Sequence, residues 1–169
     1  MEKANELLVE LGENGPKRPL PLKLAIPLFQ AASLEDDDSL QDRWVRLLVN
    51  SSRSEPAIEL SRAYIDILER LSPLEALILD KIYPATIEPR ERMRNGIVTM
   101  GLPEKIGYQE DGNQPEYVHP SQDVVMALAN LSRLGCITPS RSWSGLEDFT
   151  TVYPTLMGRS LTAACRLET

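Results

Sequence analysis

The chain has 169 residues, 42% apolar and 25% charged, a globular balance that excludes an intrinsically disordered polypeptide. Eighteen Lys and Arg against 25 Asp and Glu leave a net charge of -7 and a pI near 4.8, the wrong sign for a generic binder of nucleic acid or anionic membrane. One histidine and two cysteines exclude most histidine-rich metal sites, and the 5% aromatic content favours helix-on-helix packing over a β-sandwich.

Met1 to Leu11 carries acidic residues where a signal peptide carries positive charge, so a cytoplasmic location is expected. Ala4, Leu7, Leu8 and Leu11 fall at helical spacing, with Gly12 placed to cap the C-terminus. A helix that short needs a surface to dock on. Residues 13–19, with two prolines and the pair Lys17 and Arg18, read as a linker. Leu20, Leu24, Leu28, Ala31 and Ala32 then predict a helix that Pro27 either kinks or starts. The stretch Pro19 to Leu34 is interrupted by Pro21, Lys23, Pro27 and Gln30, and no membrane span is expected.

The acidic run Glu35–Asp38 precedes Leu40, Trp44, Leu47 and Leu48 on one helical face, with Asp42 and Arg46 spaced as an i,i+4 pair outside. A third helix is predicted over 56–71, from Pro56 through the stripe Leu60, Tyr64, Ile67, Leu68 and Leu71, with Asp66 and Arg70 paired. Ser72-Pro73-Leu74-Glu75 is a capping box that starts a fourth, buried through Leu74, Leu77, Ile78 and Ile82 and ended by Pro84.

Five of the 13 prolines and four of the nine glycines fall in 84–120, which predicts an irregular connection with short pieces around Glu88–Arg94 and Ile97–Ile106. Order returns at Ser121, where Val124, Leu128, Leu131 and Leu134 line a helix capped by Gly135. Cys136-Ile137-Thr138 starts a strand, 142–148 form a polar turn, and Phe149 to Tyr153 return. Thr155 caps a last helix with Met157, Leu161, Ala164 and Cys165 inward. Helix, strand, turn, strand and helix in this order match the back half of a winged-helix unit.

No motif names a reaction. The acidic run lacks the alternating ligands and central glycine of a calcium loop and reads as a solvated helix start. His119 stands in a loop before a helix, and neither a Gly-x-Ser-x-Gly elbow nor a phosphate loop occurs. No enzyme activity, cofactor or metal is therefore expected. Cys136 and Cys165 read as reduced core residues. Arg90, Arg92 and Arg94 are interleaved with Glu88 and Glu91, a solvated face with local ion pairs.

Residues 121–148 hold Arg133 and Arg141 against Asp123, Glu147 and Asp148, a poor surface for phosphates. If the unit reads DNA, those two arginines are its candidates. Trp44 belongs to a core face. Trp143, flanked by serines in the polar turn, is either an exposed contact residue or a lid over the adjacent strands.

The run Pro21-Leu22-Lys23-Leu24-Ala25-Ile26-Pro27, the acids Glu35–Asp38 and the segment Leu40 to Leu48 resemble the abortive infection alpha (Abi-alpha) family. Ile67 to Ala76, Leu131 to Ile137 and Thr155 to Leu161 continue the likeness, which covers roughly residues 20–83 and 121–166. The resemblance implies a role in bacterial anti-phage defence and carries no catalytic residues over.

The expectation is a mainly α protein. A helical bundle (1–83) is joined through the irregular connection (84–120) to a winged-helix-like unit (121–169). The leading functional reading is a non-enzymatic cytoplasmic interaction protein of the defence type; the alternative is a winged-helix DNA-binding regulator. Protein partners are expected to meet Leu7, Leu8, Leu11 and Trp143, with a homodimer among the options, while nucleic-acid binding should be weak or absent.

Overall fold

The computed structural model describes residues 6, 9, 17–53, 59–84, 96–108, 119–141 and 145–167. Among them are six bounded helices and four strands: α1 (Leu22–Leu34), α2 (Asp38–Ser52), α3 (Arg62–Leu68), α4 (Pro73–Ile82), β1 (Ile97–Val98), β2 (Gly107–Tyr108), α5 (Gln122–Arg133), β3 (Ile137–Arg141), β4 (Glu147–Pro154) and α6 (Leu156–Ala164). The protein is mainly helical with a small antiparallel sheet and a helix–hairpin–helix C-terminal segment, as the sequence leads one to expect. It divides into two compact units, Met1–Pro73 with Leu161–Thr169, and Leu74–Ser160. The division falls at the start of α4 and inside α6, so α4 from Leu74 onward groups with the second unit.

In the first unit, α1 contains Pro27 without breaking, and it packs against α2 and α3. Its buried residues are Ala25 and Leu28. No side chain caps its start at Pro21, so packing on one face must carry much of its stability. Asp37, within the acidic run, caps α2: its carboxylate accepts from the Ser39 and Leu40 N–H groups and from the Ser39 hydroxyl. The Ser39 hydroxyl, followed by the backbone N–H donors, holds the Asp37 carboxyl below its ordinary pKa. The run is thus a helix start. Leu40, Trp44 and Leu47 are buried on α2 as the spacing predicts, and burying a side chain like Leu47 stabilises by about 1.5–3 kcal/mol.

One expectation in this unit needs correcting. The third helix begins at Arg62, because Ser61 takes the N-cap position and its hydroxyl accepts from the Ala63 N–H; Glu59 and Leu60 lie outside the helix. Asp66 also pairs one turn back with Arg62, at 2.8 Å. At the end of α2, the buried Asn50 amide donates to the Ala164 and Arg166 carbonyls at the end of α6, satisfying groups the helix itself leaves open.

In the second unit, Pro73 is the first residue of α4, but the buried face differs from the expected one. Ala76, Ile78, Leu79 and Ile82 are buried, whereas Leu77 is exposed. The sheet order is β2-β1-β4-β3. The 84–120 segment therefore supplies two short strands: Ile97 pairs with Tyr108 on one side and with Val152 on the other. Its expected piece around Glu88–Arg94 lies outside the described residues. Thr99 extends the β1 junction, its N–H and hydroxyl both donating to the Thr150 carbonyl.

β3 and β4 form the hairpin, from Ile137 opposite Pro154 to Arg141 opposite Glu147, with a register shift between Pro139 and Ser140. That shift accommodates a proline within a paired strand. β4 starts at Glu147, two residues earlier than the sequence suggests. The ends of α5 follow the sequence closely: the Ser121 hydroxyl accepts from the Val124 N–H, and Gly135 adopts φ +75°. Gly135 and Cys136 N–H groups close the helix onto Ser132 and Leu131 carbonyls, a Schellman arrangement.

Candidate interaction surface

Tyr83, just past α4, fixes the base of the hairpin. Its hydroxyl donates to the Cys136 carbonyl and accepts from the Thr155 N–H. The Thr155 hydroxyl in turn accepts from the Gly158 N–H, as an N-cap of α6, and donates to the Gly135 carbonyl at 2.7 Å. A methyl group on Gly158 would run into the Cys136 carbonyl and the Tyr83 ring, so glycine is required there for close approach. Burial pushes up the pKa of the Tyr83 hydroxyl, and burial with the nearby Glu75 charge lifts the Cys136 thiol to about 11. A thiol held protonated and buried is a packing group, not a nucleophile.

This node holds α5 and the hairpin so that one face of α5 is presented outward. Gln122, Asp123, Met126 and Arg133 are exposed on that face, and Met126 is 66% exposed. Arg133 does not stand away from the helix: its Nε and Nη2 donate to the Asn130 side-chain oxygen, Nη2 at 2.5 Å. The Asn130 amide then donates to the buried Glu75 carboxylate at 2.7 Å. Arg133 is engaged in a chain that ends on an acid, which lowers what it offers to a phosphate. Neither the Asn130–Glu75 bond nor the exposure of Met126 was anticipated from the sequence. A separation of 55 residues hides the first, and a single apolar residue on a polar face is the only sequence trace of the second.

Arg141 is exposed at the end of β3, opposite Glu147 in the register, so the second nucleic-acid candidate also sits beside an acid. The structure does not bring Arg133 and Arg141 into a shared cluster of hydrogen bonds. His119 is an exposed coil residue two positions before the α5 cap. Leu7, Leu8, Leu11 and Trp143 lie outside the described residues, as do Arg90, Arg92 and Arg94; Glu6 and Val9, on the first predicted helix, are helical and exposed. Among the described residues no group of three or more His, Cys, Asp or Glu is placed to hold a metal ion, and no helix is long and apolar enough to cross a membrane.

No curated protein and no solved structure matches the chain. A family model for abortive infection alpha matches residues 1–165, including the 84–120 segment in which the sequence shows no recognisable family motif. The chain belongs to the abortive infection alpha family.

Proposed function

We propose that this protein serves abortive infection as a non-enzymatic, cytoplasmic component of phage defence that works by binding another protein. Family membership supports the abortive-infection role. The observation that carries the binding mode is the outward face of α5, where Met126 is bare and Arg133 is tied to Asn130. Methionine adapts to irregular partner surfaces through its flexible, polarisable side chain. Replacing Met126 with Glu leaves a site of this exposure folded and puts a charge in the middle of the contact.

The test is capture from phage-infected cells with tagged wild-type and Met126→Glu chains. The expected result is a partner retained by the wild type and lost by the variant, together with loss of protection in a plating assay. A variant that protects and captures as well as the wild type contradicts the reading.

A second reading has one specific observation in its favour. β1 joins the hairpin beside β4, giving the order β1-β4-β3 downstream of α4 and around α5, the strand arrangement of a winged-helix DNA-binding regulator. Charge weighs against it: Asp123, Glu147 and Asp148 outnumber Arg133 and Arg141 on the elements that would face DNA.

A further inference from the structure

The helix α1 is apolar on two sides. Ala25 and Leu28 are buried within the first unit, yet Leu22, Ile26 and Phe29 are 74%, 54% and 40% exposed. Positions 22, 26 and 29 follow the i, i+4, i+7 spacing, so the three side chains form one continuous stripe along the solvent side. A helix that is apolar all round is ordinarily covered on both faces. Leu34, 84% exposed, extends the bare surface at the C-terminal end.

Charge is distributed unevenly along the same segment. The exposed Lys17 and Arg18 precede the helix, and their N–H groups both donate to the Ser52 carbonyl, which anchors that basic end to the end of α2. The run Glu35–Asp38 follows it, with Asp36 and Asp38 exposed. A 13-residue helix is about 20 Å long, so the two ends present opposite charges across that span. A surface with an apolar middle, a basic end and an acidic end is complementary to itself turned through 180°.

We infer that α1 is the interface of a two-fold symmetric dimer, in which α1 of one copy lies antiparallel to α1 of a second copy. Leu22 then faces the second copy's Phe29, and Ile26 meets Ile26 near the axis. Arg18 approaches the second copy's Asp36, and the reverse pair repeats the contact. The antiparallel arrangement also sets the helix dipoles head to tail. The inference deepens the protein-binding reading by naming one partner as the chain itself, and it rests on that reading only for its biological purpose.

Light scattering on the full chain, with helical content and melting followed by circular dichroism, tests it. The wild type is expected at twice the chain mass. Ile26→Glu should fall to the monomer mass with unchanged helical content, and its melting should match the wild type's at concentrations where both are monomeric. Leu22→Glu, at the most exposed of the three positions, serves as the second variant if Ile26→Glu misfolds. Arg18→Glu should weaken the dimer about tenfold through like-charge apposition, and adding Asp36→Lys to the same chain should restore it.

A wild-type chain that stays monomeric to roughly 100 µM overturns the inference, since contacts weaker than that carry only about 5 kcal/mol. A dimer indifferent to both glutamate variants also overturns it. A dimer lost on Ile26→Glu but insensitive to Arg18→Glu overturns the antiparallel pairing. A monomeric chain that still loses its infected-cell partner on Met126→Glu leaves the proposed function standing, so the two failures are distinguishable.

Discussion

The helices α1 and α5 have nearly the same length, 13 and 12 residues, and opposite means of support. α5 is closed at both ends, by the Ser121 hydroxyl and by the left-handed Gly135, and outside it carries polar groups hydrogen-bonded to one another. α1 has no side-chain cap and shows an apolar stripe to solvent. α5 is a self-sufficient element presenting a single adaptable side chain, Met126. α1 is an element whose sequence asks for a second covering surface. Local hydrogen bonding and residual apolar surface thus separate, within one chain, a helix closed at both ends that offers one bare side chain from a helix bare along a whole stripe.

The largest expected effect breaks α1 from its inner side. Leu28 is fully buried, and Leu28→Ala should cost about 3 kcal/mol, the usual result of truncating a core leucine. Ile26→Ala, on the same helix, should stay within about 0.5 kcal/mol at chain concentrations where the protein is monomeric. Denaturant titration of the two variants measures the contrast. Equal losses would mean that the solvent stripe of α1 is core.

Smaller changes sharpen the account of α5. Ser121→Ala removes the acceptor for the Val124 N–H and should cost about 1 kcal/mol. Gly135→Ala meets no steric obstacle, since no atom lies within 4 Å of an added methyl, but it places a side chain at φ +75° and should also cost about 1 kcal/mol. The two sites lie at opposite ends of the helix, so the double variant should lose the sum. Thermal and urea unfolding check both values.

Much of this architecture was legible because local chemistry specifies it. Pro73 at the start of α4, Ser121 and Gly135 around α5, and Thr155 before α6 act within four residues of themselves. Where apolar residues are nearly continuous, periodicity loses its power. In α4, Leu74, Leu77, Ile78, Leu79 and Ile82 admit more than one inward face, and the structure buries Leu79 and exposes Leu77. The strands β1 and β2 have two residues each, too few to show alternation, and β1 pairs with β4 some 50 residues away while β2 pairs with β1.

The candidate surface was less legible than the fold. Arg133 was visible as an exposed cation, but its tie through Asn130 to Glu75 depends on α4 and α5 meeting. Likewise the spacing of Leu24, Leu28, Ala31 and Ala32 identified one side of α1, and nothing local distinguished Leu22, Ile26 and Phe29 as bare. Exposure is a property of what packs nearby, and that is decided by tertiary structure.

The measurement that most directly separates protein binding from DNA reading is a titration of the full chain with duplex DNA at low and physiological salt. Micromolar or weaker affinity at physiological salt, in the range of non-specific contacts, is the expected result, with Arg133→Ala and Arg141→Ala nearly without effect. Nanomolar, sequence-specific binding that either arginine variant abolishes would contradict the account and establish the helix and hairpin as a DNA-reading surface.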